Sequence, residues 1–250
     1  MADWIAPDWP APPNVKAAAT LRTGGVSQGA FSSLNLGSHV GDDPAAVAEN
    51  RRLLRTALNL PAEPAWLNQV HGINVVEASA EGATSAVPPT ADASVARGAG
   101  AVCVVMTADC LPVLFCDRDG TRVGGAHAGW RGLAGGVLGA TIKALDVAPS
   151  QLMAWLGPAI EPDAFEVGDE VHEAFLKLAA DNAAAFKPNA RGRWQADLYQ
   201  LARNELARLG VTAVYGGGFK CFADSERFFS YRRESRTGRM ATLVWLTGPA

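Results

Sequence analysis

Apolar positions along this chain fall into runs of strand length, separated by polar, glycine-rich segments and a few stretches at helical spacing. The densest part lies between residues 101 and 132. Residues 101–106 are unbroken apolar and read as a strand buried on both faces. Residues 111–116 form a second such run, and the Asp117-Arg118-Asp119-Gly120 turn signal leads from it into a third strand ending near His127. Further strands are expected at 15–21, 65–70, 73–78, 91–95, 151–156, 211–215 and 241–246.

Helical spacing marks four stretches. Asp43-Pro44 opens the first in a cap-then-proline arrangement, and it runs to about residue 59 before Pro61 stops it. Its Arg51, Arg52 and Arg55 read as a solvated face. The second covers 131–147, where Gly132, Gly135, Gly136 and Gly139 each cost up to about 1 kcal/mol against alanine in a helix interior. That cost implies close packing on a sheet or close approach of a ligand. The third spans 168–180. The fourth, 197–209, carries Leu198, Leu201, Ala202, Leu206 and Leu209 as one apolar stripe, capped by Asp197 and ended by Gly210. Residues 4–14, rich in Pro and Trp, read as an extended arm, 22–43 as a long loop, and 82–89 as a shorter one.

With no internal repeat and no linker, the pattern implies a single α+β domain over residues 1–250, its mixed sheets covered by helices. Composition agrees: 48% of residues are hydrophobic and 19% charged, enough to bury a sizeable core. A net charge of −3 gives no footprint for nucleic acid or an anionic membrane surface. The first 14 residues lack the basic and apolar regions of a signal peptide, and no apolar stretch reaches the roughly 18–20 residues of a membrane span. Cys103, Cys110, Cys116 and Cys221 show no CxxC spacing, which points to reduced thiols and a cytoplasmic location.

Three kinds of chemistry compete for the polar residues near the strand ends. His71, Cys110 and His127 each lie at or near such an end beside small residues. Two imidazoles and a thiolate make a three-ligand zinc site with a fourth position for water or substrate. The same Cys110 and His127 have the ingredients of a nucleophilic thiolate–imidazole pair, with Asp109 or Asn68 as an orienting group. The sequence does not choose between these. Anion binding is the third: residues 128–132 pass from a strand through glycines into a helix start carrying Arg131, and residues 228–240 add Arg232, Arg233, Arg236 and Arg239 among aromatics. His39 and His172 stay outside the metal set, and Cys103, Cys116 and Cys221 read as small buried hydrophobes.

Five ordered motifs carry a resemblance across nearly the whole chain: NQVHG at 68–72, TADCLPVLF at 107–115, HAGWRGL at 127–133, GPAI and FEVG within 157–168, and FFSYRRE with TGRM within 228–240. Together they resemble the YfiH-like laccase-domain family. The resemblance implies a four-layer α/β/β/α fold, distantly similar to the cysteine-hydrolase domain of cytotoxic necrotizing factors. It implies zinc on His71, Cys110 and His127, with copper as an adventitious substitute. It also implies purine nucleoside phosphorylase activity on adenosine, inosine, guanosine and methylthioadenosine, together with adenosine deaminase activity. Tyr231 stands where relatives often carry His. The older laccase label conflicts with the residues, because a multicopper oxidase needs roughly ten histidines and this chain has four.

The resulting expectation is a zinc-dependent phosphorylase whose partners are a purine nucleoside and inorganic phosphate, acting as a monomer or weak homo-oligomer. Arg131 and the helix start would hold phosphate, with Arg232 or Arg233 and Asn68 contributing. Asp109 would carry a proton, and zinc would lower the pKa of a water for deamination at C6 of adenine. Two alternatives remain: a metal-free Cys110/His127 hydrolase acting on an amide, and a zinc-stabilised protein that binds a metabolite without turnover.

Overall fold

The computed structural model describes residues 3–81 and 87–248. In chain order its strands are β1 (Trp4–Ile5), β2 (Val15–Thr20), β3 (Val75–Glu77), β4 (Ala93–Ala96), β5 (Val102–Thr107), β6 (Leu111–Asp117), β7 (Val123–Ala128), β8 (Leu152–Leu156), β9 (Glu166–Val167), β10 (Phe186–Pro188), β11 (Trp194–Ala196), β12 (Ala213–Gly216) and β13 (Met240–Leu246). The helices are α1 (Pro44–Ala57), α2 (Trp130–Gly135), α3 (Val137–Leu145), α4 (Asp169–Leu178) and α5 (Leu198–Arg208).

The strands build two sheets that lie face to face. The smaller runs β1-β2-β13-β5 and is antiparallel throughout. The larger runs β12-β8-β6-β7-β4-β3 and is mixed, with parallel pairs at both edges and antiparallel pairs between them. A small antiparallel sheet, β10-β11-β9, lies beside them.

Why the central runs are unbroken follows from the layers. Strand β5 sends Val102, Val104 and Met106 toward α1, where they meet Leu54 and Trp66, and sends Cys103 inward. Strand β6 does the reverse: Leu114 and Cys116 face the other sheet, and Leu111, Val113 and Phe115 face the helices. Leu138, Ile142, Leu145, Phe175, Leu201 and Leu206 from α3, α4 and α5 cover that outer side. A strand covered on both faces has no position left for a polar residue. The layering is α/β/β/α, as the resemblance implied.

Several expectations are corrected. Residues 65–70 form no strand; Ala65 and Asn68 make isolated bridges to Cys103 and Thr90. In place of a ladder, the Gln69 amide donates to Met106 O (2.8 Å) and accepts from Met106 N–H (2.7 Å). The stretch 73–78 shortens to β3 because the preceding backbone turns around a carboxylate, described below. Helix 131–147 is two helices, split at Gly136, whose φ of 95° is left-handed. The N-terminal arm begins as an edge strand, and its Asp8 accepts from the buried Trp155 Nε1 (3.0 Å). Arg51 is not solvated: it donates twice to Leu36 O (3.1 and 2.8 Å) and lies 3.9 Å over the Trp66 ring. Most of the 82–89 loop lies outside the described residues.

The long 22–43 loop is held from α1 by Asn50 as well as by Arg51. Asn50 is fully buried, accepts from Val26 N–H (2.8 Å), and donates to Ser27 Oγ, Ser33 O and Asn35 O (2.8, 3.2 and 2.8 Å). Asn50→Ala strands several buried polar groups at about 1–3 kcal/mol each. Urea unfolding should show it less stable by about 2–4 kcal/mol, and wild-type stability would contradict this account.

Candidate functional site

The site forms where β5 and β6 meet through a tight turn. Residues 107–110 leave β5 and enter β6, and Asp109 takes a left-handed φ of 93°, which side chains rarely adopt. That turn brings Cys110 to the end of the sheet. His127 stands on β7, in register with Pro112 of β6. His71 comes from the turn before β3 and is also left-handed, at φ 60°.

A single carboxylate joins these pieces. Asp92, just ahead of β4, has no exposed surface. It accepts from the backbone N–H groups of Val70, His71 and Gly72 (3.2, 2.8 and 2.7 Å) and from His127 Nδ1 (2.9 Å). The bond to Nδ1 leaves Nε2 of His127 to face Cys110, an arrangement common around metal-ligating imidazoles. His71 Nε2 lies 3.7 Å from Cys110 Sγ, and the two imidazoles meet edge-to-face at 4.8 Å between centroids. The three donor atoms lie within 4.8 Å of one another. Zinc bond lengths of about 2.0–2.3 Å put tetrahedral ligands about 3.3–3.8 Å apart, so the group fits such an ion after small adjustments. Gly129 makes room: a Cβ there would come within 2.8 Å of Cys110 Sγ and 2.9 Å of His71 Cδ2.

Electrostatics favour the ligand form of the thiol. Burial alone would raise the Cys110 pKa, but the charge of His127 and hydrogen bonds from both histidines outweigh it and bring it to about 6. Burial would lower His127, yet the Cys110 thiolate and the Asp92 carboxylate carry it up to about 9. Asp92 itself falls below its ordinary value: burial opposes ionisation, and the bonds from His127 and the backbone overcome that. Each partner therefore favours the charged form of the other, thiolate on Cys110 and imidazolium on His127. Burial instead raises Asp109, against the Arg232 N–H (2.7 Å) on Oδ2, while Oδ1 is buried without a partner among the described residues.

Beside the donors lies a cavity of about 580 Å³, within the usual range for small-molecule sites. Trp130, Phe165 and Tyr231 give it aromatic surface, Arg131, Arg232 and Arg239 give it positive charge, and His39 also lines it. Arg131 is exposed, 4.4 Å over its own Trp130 ring, with its hydrogen-bonding fork free among the described residues. Helix α2 has only six residues, too short for the macrodipole expected at its start. Arg232 lines the cavity, but its guanidinium donates to Ala164 O and Glu166 O. Arg233 does not reach the cavity: its fork is used on Cys221 O, Phe222 O and Phe228 O (2.9, 2.7 and 2.7 Å). Asn68 also lies outside, donating to Thr90 Oγ1 (3.1 Å). His172 stacks on Trp194 at 3.8 Å, away from the site. Cys103, Cys116 and Cys221 are buried. The reading of the sequence missed Asp92 and Gln69, and it named Arg239 only as one of four arginines in the 228–240 segment. For Asp92 there was a signal: an acid directly before a fully buried strand needs partners.

Two outcomes follow. Asp92→Ala should weaken zinc binding about 10–100-fold in competition with a chromophoric chelator, and unchanged affinity would show that Asp92 does not position the ligands. In metal-free protein, Cys110 alkylation by iodoacetamide should rise with pH through about 6 and level off by neutrality, because the thiolate reacts and is protonated below that value. Cys103 and Cys116, pushed to about 12 by burial, should stay unmodified until the protein unfolds. A Cys110 midpoint near 8.5, the value of a free thiol, would contradict the ion pair.

Residues 16–247 match the family model described as multi-copper polyphenol oxidoreductase laccase. The chain is 58% identical to a purine nucleoside phosphorylase of Pseudomonas aeruginosa, over 98% of this chain and 99% of that protein. It is 51% identical to purine nucleoside phosphorylase YfiH of Escherichia coli K12, over 98% and 100%. Its fold superimposes on a crystal structure of a Neisseria meningitidis protein with a TM-score of 0.93 and 55% identity, covering 98% and 99%. YlmD from Geobacillus stearothermophilus is similar at a TM-score of 0.91 and 30% identity, covering 98% and 96%. On this span and at these identities, the chain belongs to the family described as multi-copper polyphenol oxidoreductase laccase, alongside the YfiH-type proteins.

Proposed function

We propose that this protein is a zinc-dependent purine nucleoside phosphorylase of the cytoplasm with adenosine deaminase activity. Adenosine, inosine, guanosine or methylthioadenosine would react with inorganic phosphate to give the free base and the ribose (or methylthioribose) 1-phosphate. The observation that carries this reading is the His71–Cys110–His127 donor group opening into a cavity that combines aromatic surface with guanidinium groups. Relatives of half or more identical sequence bear the name purine nucleoside phosphorylase, which supports it.

His71, Cys110 and His127 would hold the ion, and zinc there supplies a Lewis acid beside the substrate. In phosphorolysis a phosphate oxygen bonds to C1′ as the C1′–N9 bond breaks. The bonding pair leaves with the purine, which takes up a proton. Asp109, held toward its neutral form by burial and with Oδ1 unpaired, is the proposed carrier of that proton. Trp130, Phe165 and Tyr231 offer faces on which a purine stacks. The positive lining of the cavity suits the anionic co-substrate.

The multi-copper description does not fit the donors. The four histidines are His39, His71, His127 and His172, and only two of them join the metal-capable group. A blue site plus a trinuclear cluster needs roughly ten.

A second reading has a specific observation behind it. Cys110, His127 and Asp92 follow one another as nucleophile, base and orienting carboxylate, which suits a hydrolase acting on an amide. The deciding experiment incubates metal-analysed protein with adenosine, with and without phosphate, and separates the products by chromatography. The expected result is adenine with ribose 1-phosphate only when phosphate is present, inosine from the same preparation, and loss of both in a chelator. Adenine without phosphate, or no nucleoside turnover by zinc-loaded protein, would overturn the phosphorylase. An amidase activity that survives the chelator and vanishes in Cys110→Ala would install the hydrolase.

A further inference from the structure

Resting on the phosphorylase reading, we infer that inorganic phosphate is held in the cavity by the half-buried Arg239, with the exposed His39 beside it. Arg131 stays at the rim.

Three arginines and His39 line the cavity, against Asp109 as the one carboxylate among its described lining residues. The arginines differ in what they have left to give. Arg232 spends its fork on backbone carbonyls. Arg131 is exposed, over Trp130. Arg239 is half-buried, and its Nη1 donates to Thr237 O and Gly238 O (3.1 and 3.0 Å), which fixes the plane of the guanidinium. Its Nε and Nη2 have no hydrogen-bond partner among the described residues. A fixed, half-dry fork with two free donors matches the bidentate geometry of a phosphate.

His39 reaches the same cavity with Arg239 and Arg51 as its charged neighbours. The guanidinium of Arg51 is already used on Leu36 O. Burial and these two arginines lower the His39 pKa, so its ring adds a neutral N–H, and the guanidinium of Arg239 carries the charge that suits an anion. The assembly is also tied together. Arg239 N–H donates to Asn35 Oδ1 (2.9 Å), and Leu36 N–H donates to Arg239 O (3.2 Å). Gly37 lets the Arg239 stem lie against the loop, since a Cβ there would come within 2.8 Å of its Cγ. The next residue, Met240, pairs with Thr107 at the start of the turn that carries Asp109 and Cys110. The anion end is therefore built onto the same strands as the donor group.

The test uses the full zinc-loaded chain. Inorganic phosphate is titrated calorimetrically, and initial rates are measured against both phosphate and adenosine. In R239Q the phosphate Kd and KM should rise about tenfold or more, the loss of a charged hydrogen-bonding group. The KM for adenosine should move less than about threefold. H39Q should show a smaller rise, about threefold to tenfold. R239K keeps a point charge and should be intermediate; it carries the test if R239Q does not fold. Unchanged phosphate affinity in folded Arg239 variants would overturn the proposal, as would a tenfold loss in R131Q alone. Absence of phosphate binding by wild-type protein would do the same. Wild-type protein that binds phosphate, loses it in R239Q and forms no ribose 1-phosphate would sink the phosphorylase reading and leave the subsite standing.

Discussion

Asp92 receives N–H groups from three consecutive backbone positions and from the ring of His127, with no exposed surface of its own. Two of the three candidate metal ligands are oriented through this carboxylate, one by its backbone and one by its ring. A buried ionised carboxylate is stable only when its acceptor sites are filled, so the fold and the donor group constrain each other. The turn at Val70–Gly72 exists because Asp92 needs its donors, and Asp92 stays charged because the turn supplies them. Even the left-handed φ of 60° at His71 is offset by that bonding.

The two-sheet architecture explains why such a group can sit at strand ends yet remain rigid. Strands β5 and β6 are joined by only a few residues, and both are packed on two sides. Their connecting turn has little freedom, and Asp109 and Cys110 inherit that rigidity. Gln69 adds a side-chain substitute for a strand pair, fixing the segment before His71 to Met106 at the end of β5. Each residue of the donor group thus hangs from an element that is itself held on at least one other side.

Much of this was legible in the sequence, for identifiable reasons. Strands buried on both faces announce themselves as unbroken apolar runs, so β5, β6, β8 and β13 fall close to where residues 101–106, 111–116, 151–156 and 241–246 implied. Helix α5 begins at its Asp197 cap and carries the expected stripe. What failed was local pattern overridden by a distant partner. Residues 65–70 look like a strand, but Asp92 and the Gln69 amide claim their polar groups. The glycine-rich stretch after Arg131 breaks at Gly136, and no periodicity reveals which of four glycines turns left-handed. Arg233 and Arg232 stand side by side in a basic segment, yet one guanidinium serves the carbonyls of Cys221 and Phe222 away from the cavity, and the other, at the cavity wall, those of Ala164 and Glu166. Charge density in a sequence does not say whose oxygen a guanidinium will find.

Strand β13 has a consequence for how the molecule comes into being. It lies between β2 and β5 in the smaller sheet and is synthesised long after both. Until it emerges from the ribosome, β2 and β5 present two unpaired edges, the kind of surface that recruits other chains. Threading the missing strand between them is a long-range closure, intrinsically slow. Arg239 arrives on the same segment, so a nascent chain can bring His71, Cys110 and His127 together before Arg239 joins the lining of the cavity. Completion of the sheet and completion of the binding pocket are one event.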